Sequence, residues 1–379
     1  MPVAPISILF AIPSMDRDGP DRVMFELLSG LDRARFVPTV VVTRPTGHYL
    51  SRLPRDVAVE VISEAAAWAP RYPVAGALRV VRRLAPDVVF ATQRMNLTMG
   101  MASPGFPPRT RLVLRQANDV GADASMLRRQ APLKQRLAHL ALMAAMRRAD
   151  AVVCQSEAMR ADLRRRLGAR AVLHAIDNPV DVDAALREAG TEEVTLPGAP
   201  ALISVGRLSA QKGFDLLLPA FAEVRTAHPG AHLTVLGDGP DRAALEAQAA
   251  ALGLASSVTF AGFSTRVLPS VRAAALFVLA SRYEGFPNAA LEALACGTPV
   301  VLTDCPGANA TIVRPGLNGR LAAQASSAAM AAALGEALAE LPRYHRDVIT
   351  ADTRARYDAA QIVARYQAVF VAATQRGAR

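Results

Sequence analysis

Short apolar runs rich in Val, Ile and Leu alternate with longer helical patterns along almost the whole chain. These runs are continuous and do not alternate in polarity, which is typical of parallel strands covered by helices on both faces. In the first half, the predicted strands are Ser7–Ile12, Pro38–Val42, Ala58–Ile62, Asp87–Ala91, Arg111–Leu114, Ala151–Cys154 and Ala171–Ile176, and the predicted helices are Pro20–Leu31, Val74–Leu84, Leu133–Arg148 and Glu157–Leu167. The pattern predicts an α/β fold with a doubly wound parallel sheet.

The pattern restarts after a turn-prone connector at 178–181 and a loop at 191–200 that is rich in Pro, Gly and Glu. The second set of predicted strands is Ala201–Val205, Leu233–Leu236, Val258–Phe260, Leu276–Leu279 and Pro299–Leu302, and the predicted helices are Phe214–Arg225, Asp241–Leu252, Asn288–Cys296, Ser326–Leu341 and Arg356–Gln375. A chain of 379 residues is too long for one ordinary core. We therefore predict two Rossmann-like domains, 1–178 and 179–355, followed by a last helix within 356–379, with ligands at the carboxyl ends of the strands.

Composition excludes several classes of protein. The chain is 51% hydrophobic and 20% charged, which is unlike a disordered protein or a fibre. No run approaches the ~18 uncharged apolar residues of a membrane span, and the first 18 residues lack the basic region of a signal peptide. Cys154, Cys296 and Cys305 are scattered, without metal-binding spacing. We expect a cytoplasmic protein without disulfides or a metal site.

The net positive charge of the chain lies entirely in the first half. Residues 1–178 carry 26 Arg and Lys against 15 Asp and Glu, a net charge of +11, whereas residues 179–379 carry 17 against 18. Compositional drift explains why 41 of the 43 basic residues are Arg, but it does not explain this asymmetry. The first half is therefore expected to face nucleic acid, an acidic membrane or a phosphorylated substrate.

A loop between a predicted strand and a predicted helix, Val205–Phe214, combines two glycines with two cations. Gly206 and Gly213 permit tight turns, and Arg207 and Lys212 lie over a helix N-terminus, which favours anions. Lys212 is one of only two lysines in the chain, which indicates a need for a compact ammonium group at a phosphate. The simpler alternative is a solvated pair at a helix start.

A second strand-to-helix connection, within Ser281–Pro299, carries two glutamates. Glu284 precedes the turn formed by Gly285, Phe286 and Pro287, and Pro287 suits the first position of a helix that begins near Asn288. The helix amides can bind a diphosphate, and Glu292 can accept protons from two ribose hydroxyls. The alternatives are helix-dipole stabilisation for Glu292 and a solvated loop acid for Glu284.

These segments resemble the retaining glycosyltransferases of family 4. The matching motifs are Gly206-Arg207-Leu208 with Lys212-Gly213, Leu236-Gly237-Asp238-Gly239-Pro240, Phe260-Ala261-Gly262-Phe263, the Glu-x7-Glu pair Glu284 and Glu292, and Pro315-Gly316-Leu317-Asn318-Gly319. The first half matches more loosely, at Asp18–Arg22, Ala149–Ser156 and Ile176–Asp181. The resemblance implies the GT-B fold, in which two Rossmann-like domains face each other across a cleft and the last helix packs back on the first domain.

The resemblance also implies a function. Arg207 and Lys212 bind the donor diphosphate, Glu292 holds the ribose and Glu284 lies near the donor sugar; Gly19, Gly206, Gly237, Gly239, Gly285, Phe286, Pro287 and Asn288 complete the nucleotide-sugar site. The expected reaction moves a hexose or N-acetylhexosamine, with retention, from a UDP-sugar to a glycan or lipid-linked acceptor in envelope lipopolysaccharide or exopolysaccharide synthesis. It needs neither a cofactor nor a metal, because cations and helix amides stabilise the leaving diphosphate.

Three departures from the family pattern affect the details. Only Gly19 remains of two adjacent glycines in the first loop, and Gly307-Ala308 with Thr311 replaces a Gly-Gly with a following Glu. No histidine lies in the first-domain loops at 92–94 and 115–118, so Arg94, Gln116 and Asn118 are the candidates for the acceptor or donor-sugar side.

A basic amphipathic helix is predicted at 126–148, where six Arg and Lys residues occur without an acid and Leu133, Leu137, Leu140 and Ala144 recur at helical spacing. Its apolar stripe belongs either to the core or to a surface that binds an anionic membrane. We predict the second, with the protein at the cytosolic face of the membrane.

Three other functions fit parts of the sequence. A Rossmann dehydrogenase lacks support, because Arg242 stands where the third glycine after Gly237 and Gly239 is needed. A nucleic-acid-binding protein lacks a recognised motif and has too few aromatic residues, so no nucleic-acid partner is expected. A catalytically silent sugar- or nucleotide-binding protein of the same fold stays open as the alternative.

Overall fold

The computed structural model describes residues 4–16, 19–62, 72–117 and 132–375, with side chains from residue 136 onward in the last range. The chain forms two compact units. Unit 1 consists of Met1–Pro179 together with Ala359–Arg379, and unit 2 is the continuous segment Val180–Asp358. The chain therefore passes between the units twice.

Unit 1 contains a parallel sheet with helices on both faces. Its described strands are β1 (Ile6–Ala11), β2 (Phe36–Val42), β3 (Ala58–Val61), β4 (Val88–Thr92), β5 (Arg111–Gln116), β6 (Ala151–Cys154) and β7 (Leu173–Ala175). They pair in the order β3-β2-β1-β4-β5-β6-β7, so the order reverses between β1 and β4. The described helices between them are α1 (Gly19–Gly30), α2 (Val74–Leu84), α3 (Met95–Ala102), α4 (Pro132–Arg148) and α5 (Glu157–Leu167).

Unit 2 repeats this architecture. Its strands are β8 (Ala201–Val205), β9 (His232–Leu236), β10 (Val258–Gly262), β11 (Leu276–Leu279), β12 (Val300–Thr303) and β13 (Gly319–Ala322), paired in parallel in the order β10-β9-β8-β11-β12-β13. Its helices are α6 (Val182–Ala189), α7 (Phe214–Ala227), α8 (Arg242–Ala251), α9 (Leu268–Ala273), α10 (Asn288–Ala295), α11 (Asn309–Ile312), α12 (Ser327–Ala339) and α13 (Arg346–Tyr357). The predicted α/β class with two doubly wound sheets is confirmed.

The last helix, α14 (Ala359–Gln375), packs on unit 1. The sequence predicts a single helix from Arg356 to Gln375, and this prediction is wrong about where the helix begins. The structure ends α13 at Tyr357 and gives Asp358 an extended backbone, with φ −51° and ψ 133°. Asp358 forms a β-bridge with Val180, and this pairing interrupts the helix at the second passage between the units.

Aromatic side chains join α14 to the sheet of unit 1. Phe370 contacts Phe90 edge to face, with ring centroids 5.3 Å apart, and contacts Phe10 in the same way at 6.0 Å. Tyr366 contacts Phe90 at 5.7 Å. One apolar layer of unit 1 is therefore built from α1, α14 and the sheet, whereas α2 to α5 cover the other face.

A buried guanidinium group ties α14 to the carboxyl end of the sheet. The side chain of Arg115 is almost completely buried. Its Nε donates to the Tyr366 hydroxyl at 3.1 Å, its Nη2 to Asn178 Oδ1 at 2.7 Å and its Nη1 to Thr92 Oγ1 at 3.4 Å. Because these three partners are neutral, the hydrogen bonds must replace the water that the cation loses on burial.

We predict that Tyr366→Phe destabilises the protein, because it leaves Nε of a buried cation without this acceptor. An unpaired buried donor costs roughly 1–3 kcal/mol. Urea denaturation followed by circular dichroism measures the change. Gln361→Ala, at an exposed position of the same helix, is the matched control and should shift stability by less than about 0.5 kcal/mol. Equal midpoints for Tyr366→Phe and the wild type would contradict this role for the hydroxyl.

Candidate functional site

The strand order of unit 2 brings two distant loops together. β8 and β11 are neighbours at the centre of the sheet, but β9 continues on one side and β12 on the other. At such a reversal the helices that follow the two strands pack on opposite faces, which leaves a crevice at the carboxyl edge. The loop after β8 carries Arg207 and Lys212, and the loop after β11 carries Glu284. Residues about 72 positions apart thus share one edge of the sheet.

Lys212 and Glu284 form an ion pair in this crevice. Lys212 Nζ donates to Glu284 Oε1 at 2.6 Å, and the Ser281 hydroxyl donates to the same oxygen, also at 2.6 Å. Glu284 is buried, whereas the Lys212 side chain is about one-fifth exposed. An ammonium group has three donors, and the bond to Glu284 uses one of them. Lys212 can therefore bind a second anionic group while it holds the carboxylate.

Glycines allow the loops to approach this closely. Gly213 has a positive φ of 65°, and a Cβ atom there would lie 2.0 Å from the carbonyl oxygen of Ala280. Gly237 has φ 142°, and its Cβ would lie 2.0 Å from the carbonyl oxygen of Gly206. Gly239 is equally confined by the carbonyl of Leu208, at 2.2 Å. Gly213, Gly237 and Gly239 therefore lie where the neighbouring backbone leaves no space for a side chain.

Arg207 is the exposed cation of this edge. It follows Gly206 directly, and its guanidinium makes no hydrogen bond or ion pair with any residue that the structure describes. A guanidinium group offers five donors in a planar fork that matches a phosphate. Arg207 is therefore available to an anionic ligand, whereas Lys212 is already held in place.

The second motif leads into α10 as predicted. Glu284, Gly285, Phe286 and Pro287 are buried, and α10 begins at Asn288. The ring of Phe286 contacts Tyr357 edge to face at 5.8 Å, which fixes the turn before the helix. Glu292 lies one turn into α10 and is half-buried. The free amides of a helix N-terminus attract anions, so this end of α10 suits a phosphate.

A third loop, after β12, borders the ion pair. A Cβ atom at Gly307, where φ is 134°, would lie 2.2 Å from the carbonyl oxygen of Glu284. Burial, and after it the charge of Glu284, raises the pKa of the Cys305 thiol to about 12. The Thr303 hydroxyl donates to the Ser281 carbonyl at 2.5 Å, so β12 also supports the residue that holds Glu284. Sequence reasoning missed Ser281, because a serine at a strand end has no distinctive pattern.

The candidates of unit 1 lie at the carboxyl edge of its own sheet. Gly19 is the first residue of α1, Gln116 is buried at the end of β5, and Arg94 precedes α3 and donates to Thr43 Oγ1 at 3.2 Å. Asn118 lies outside the described residues. The roles of these four residues stay predictions.

Sequence reasoning also missed a strained residue beside them. Gln93, after β4, has a positive φ of 56°, and its Nε2 donates to Oδ1 of the buried Asp21 at 3.1 Å. Non-glycine residues in this conformation are uncommon and concentrate at functional sites. Gln93 and Asp21 are 72 positions apart, so only the contact between the residue that follows β4 and the first turn of α1 identifies them as a pair.

The described part of α4 exposes leucines on a basic surface. Leu137 is 60% exposed and Leu140 is 62% exposed, whereas Met143 and Met146 are buried. Arg136, Arg147 and Arg148 are exposed around the two leucines. Residues 126–131 of the predicted amphipathic helix lie outside the described residues. We name the surface formed by Leu137, Leu140, Arg136, Arg147 and Arg148 the α4 surface.

The described residues contain neither a metal-binding cluster nor a membrane-spanning helix. No set of three or more His, Cys, Asp or Glu side chains in these ranges is arranged to hold a metal ion. No helix in these ranges combines the length and the apolar content needed to cross a bilayer.

Comparison with known sequences matches both units to glycosyltransferase families. Residues 17–184 match the family described as Glycosyltransferase Family 4, and residues 199–340 match the family described as Glycosyl transferases group 1. The lipopolysaccharide core biosynthesis glycosyltransferase LpsE of Rhizobium meliloti is 34% identical over 173 residues, which are 46% of this chain and 49% of LpsE. The alpha-D-kanosaminyltransferase of Streptomyces kanamyceticus is 33% identical over 44% of this chain and 46% of its own. The chain thus spans about half of the length of these curated relatives.

Comparison with solved structures covers nearly the whole chain. HepE from Anabaena, in complex with UDP-glucose, superposes with a TM-score of 0.77 at 20% identity, over 97% of this chain and 100% of HepE. Sucrose-phosphate synthase from Thermosynechococcus elongatus superposes with a TM-score of 0.78 at 18% identity, over 97% and 100%. At these identities the likeness shows the fold, and the expected GT-B architecture of two Rossmann-like domains is confirmed.

Proposed function

The chain belongs to the group 1 glycosyltransferases of family 4, and from this premise we propose that it transfers a sugar from a nucleotide-sugar to an acceptor hydroxyl. The observation that carries the proposal is the crevice between β8 and β11, where Lys212 is paired with buried Glu284 and Arg207 is exposed on the same loop as Lys212. Two cations beside a helix N-terminus suit the diphosphate of such a donor.

The proposed mechanism follows from the position at which negative charge develops during the reaction. As the bond between the anomeric carbon and the diphosphate oxygen breaks, negative charge grows on the leaving diphosphate. Arg207 and the unused donors of Lys212 stabilise this charge, so we propose that the reaction proceeds without a metal ion. The acceptor hydroxyl attacks from the face that the diphosphate leaves, and a phosphate oxygen takes its proton. The anomeric configuration is retained, and no enzyme nucleophile is needed.

Glu284 and Glu292 have different roles in this proposal. Glu284 is fixed through Oε1 by Lys212 and Ser281, which leaves Oε2 to orient a hydroxyl of the donor sugar. Glu292, half-buried on α10, accepts hydrogen bonds from the ribose hydroxyls.

The proposed donor is a UDP-sugar, and the proposed acceptor is a glycan or a lipid-linked glycan of the cell envelope. HepE was solved with UDP-glucose, and LpsE is named for lipopolysaccharide core biosynthesis. These relatives support the choice of base and of pathway class, and the sugar is a hexose or an N-acetylhexosamine.

The α4 surface supports a membrane-bound acceptor. Leucines that point away from the core, flanked by arginines, resemble the composition of helices that lie in the headgroup region of a bilayer. The net charge of +11 in residues 1–178 adds long-range attraction to anionic lipid. We propose peripheral binding to the cytosolic face of the membrane through this surface.

Lys212→Ala and Arg207→Ala should each lower kcat by ~10²–10³-fold, because each removes a donor that stabilises the departing diphosphate. Turnover of UDP-sugars by the purified variants measures this, and the wild type should be equally active in EDTA. Arg266→Ala, which removes an exposed cation of unit 2 that pairs with Glu192, is the control. If both variants turned over the donor as fast as the wild type, the site assignment would be refuted. If the wild-type protein bound a UDP-sugar but did not turn it over, the catalytically silent binding protein would be favoured.

Glu292→Ala should act mainly on donor binding, because a ribose contact is made equally in the ground state and the transition state. We expect the donor KM to rise about tenfold, as one lost hydrogen-bond pair of roughly 1.4 kcal/mol implies, with kcat nearly unchanged. Glu246→Ala, on an exposed face of α8, controls for loss of a helix carboxylate. An unchanged KM with a collapsed kcat would assign Glu292 a different role.

Arg136→Ala combined with Arg148→Ala should weaken binding to anionic vesicles about 30-fold, since each basic residue near such a surface contributes ~1 kcal/mol. Leu137→Ser with Leu140→Ser should weaken binding to the same vesicles at low and high salt. Co-sedimentation with anionic and neutral vesicles at two salt concentrations measures both effects. Val348→Ser, at an exposed apolar residue of unit 2, is the control. Equal binding of the wild type to both lipids, or to neither, would contradict the membrane proposal.

A further inference from the structure

The two loops of the crevice are joined by a second set of contacts, outside the ion pair of Lys212 and Glu284. Arg282, two residues before Glu284, donates from Nη1 and Nη2 to the two carboxylate oxygens of Asp215, at 2.7 and 2.6 Å. Asp215 lies three residues after Lys212, in the first turn of α7. The fork geometry fixes the orientation as well as the distance of the two groups.

The main chain strengthens the same junction. The backbone N–H of Arg282 donates to the carbonyl of Gln211 at 2.8 Å. The side-chain Nε2 of Gln211 donates in turn to the backbone carbonyl of Tyr283 at 3.2 Å. Nη1 of Arg282 also donates to the carbonyl of Ala210 at 2.8 Å. We call Arg282, Asp215 and Gln211 the clasp. Its members flank Lys212 on one loop and Glu284 on the other.

The clasp differs from the ion pair in what happens when an anion arrives. A diphosphate takes the donors of Lys212 that Glu284 leaves unused, so the ion pair shares the ammonium group with the ligand. The clasp uses none of the groups assigned to the ligand and stays intact. In the complex with the ligand, the clasp therefore fixes the separation of the two loops. This separation matters for the rate, because a displacement of about 1 Å between reacting groups can lower a rate ~10²-fold.

The two ionisable residues of the clasp, Asp215 and Arg282, are both charged at neutral pH. The hydrogen bonds from Arg282 hold the pKa of Asp215 below its ordinary value, and those bonds in turn raise the pKa of Arg282. Since the pKa of the folded-state carboxyl is lowered, the contribution of the pair is present at neutral pH and is lost only as the pH falls through that lowered value. Both side chains are partly exposed, so an isolated pair of this kind contributes little to global stability.

We propose that Asp215 and Arg282 are positioning residues, which hold Lys212 and Glu284 at the separation that a diphosphate-linked donor requires. The identity of the ligand rests on the proposed function, whereas the mechanical role of the clasp does not. A clasp that only stabilised the fold would change the melting temperature and leave the spacing of the two loops unaltered.

The structure offers a matched pair for comparison. Arg354 donates from Nη1 and Nη2 to the two oxygens of Asp183, at 3.0 and 2.6 Å, and joins α13 to α6 within the same unit. This fork has the same chemistry, with a lowered Asp pKa and a raised Arg pKa. Its residues lie on neither loop of the crevice.

The experiment compares Asp215→Asn, Arg282→Lys and their combination with Asp183→Asn and Arg354→Lys in the full chain. Crystal structures give the distance from Lys212 Nζ to Glu284 Oε1, calorimetry gives the Kd of UDP, and steady-state kinetics give kcat and the donor KM.

We expect the clasp variants to lower kcat/KM by ~10–100-fold and to separate the two loops by about 1 Å. The double variant should be no worse than the poorer single variant, because the two residues act as one unit. Melting temperatures should change by less than about 4 °C in all variants, and the control pair should leave Kd and kcat unchanged.

The possible failures are distinguishable. Wild-type protein that neither binds UDP nor turns over a UDP-sugar would overturn the proposed function, and the crystal structures would still decide whether the clasp sets the loop spacing. An unchanged loop spacing in Asp215→Asn and Arg282→Lys would overturn the clasp. So would losses of kcat/KM no larger than those of the control pair. Recovery of most of the activity in Asp215→Glu, which keeps the charge and the fork, would support it.

Discussion

The reversal of strand order between β8 and β11 is the constraint on which the candidate site depends. In a parallel sheet, strands that are neighbours in space can be far apart in sequence, and at the reversal their loops have no helix between them. Lys212 and Glu284 meet for this reason, although 72 positions separate them. Gly213 follows from the same constraint, because the loops after β8 and β11 approach until the carbonyl oxygen of Ala280 occupies the place of its Cβ atom.

Much of the fold was predictable because it is encoded locally. Runs such as Leu276–Leu279 and Ala151–Cys154 are apolar throughout, and the structure keeps those bounds. Helix α3 was missed because nearly every residue of Met95–Ala102 is buried, so the segment has no polar face to reveal its period. β13 was missed because Gly319–Ala322 is short and begins with a glycine.

The partners within the site were not predictable from residue type and spacing, although the motif residues Arg207, Lys212, Glu284 and Glu292 were. The bond between Arg282 and Asp215 joins residues 67 positions apart, so no local pattern indicates it. Ser281 is only three residues from Glu284, but a serine at a strand end has no pattern that marks it as a partner. In α4 the sequence identified an amphipathic basic helix but left open which face is buried. The structure buries Met143 and Met146 and leaves Leu137 and Leu140 in solvent, so these two leucines of the predicted apolar stripe are not part of the core.

The attachment of α14 to unit 1 also determines the order in which the chain can fold during synthesis. Unit 2 is one continuous segment and can fold as soon as Asp358 has left the ribosome. Unit 1 is not complete at that time, since Phe10 and Phe90 lack their aromatic cover and Arg115 lacks the hydroxyl of Tyr366. The half that is translated first is therefore the last to reach its native core. Until then its apolar surface is exposed to chaperones and to neighbouring nascent chains.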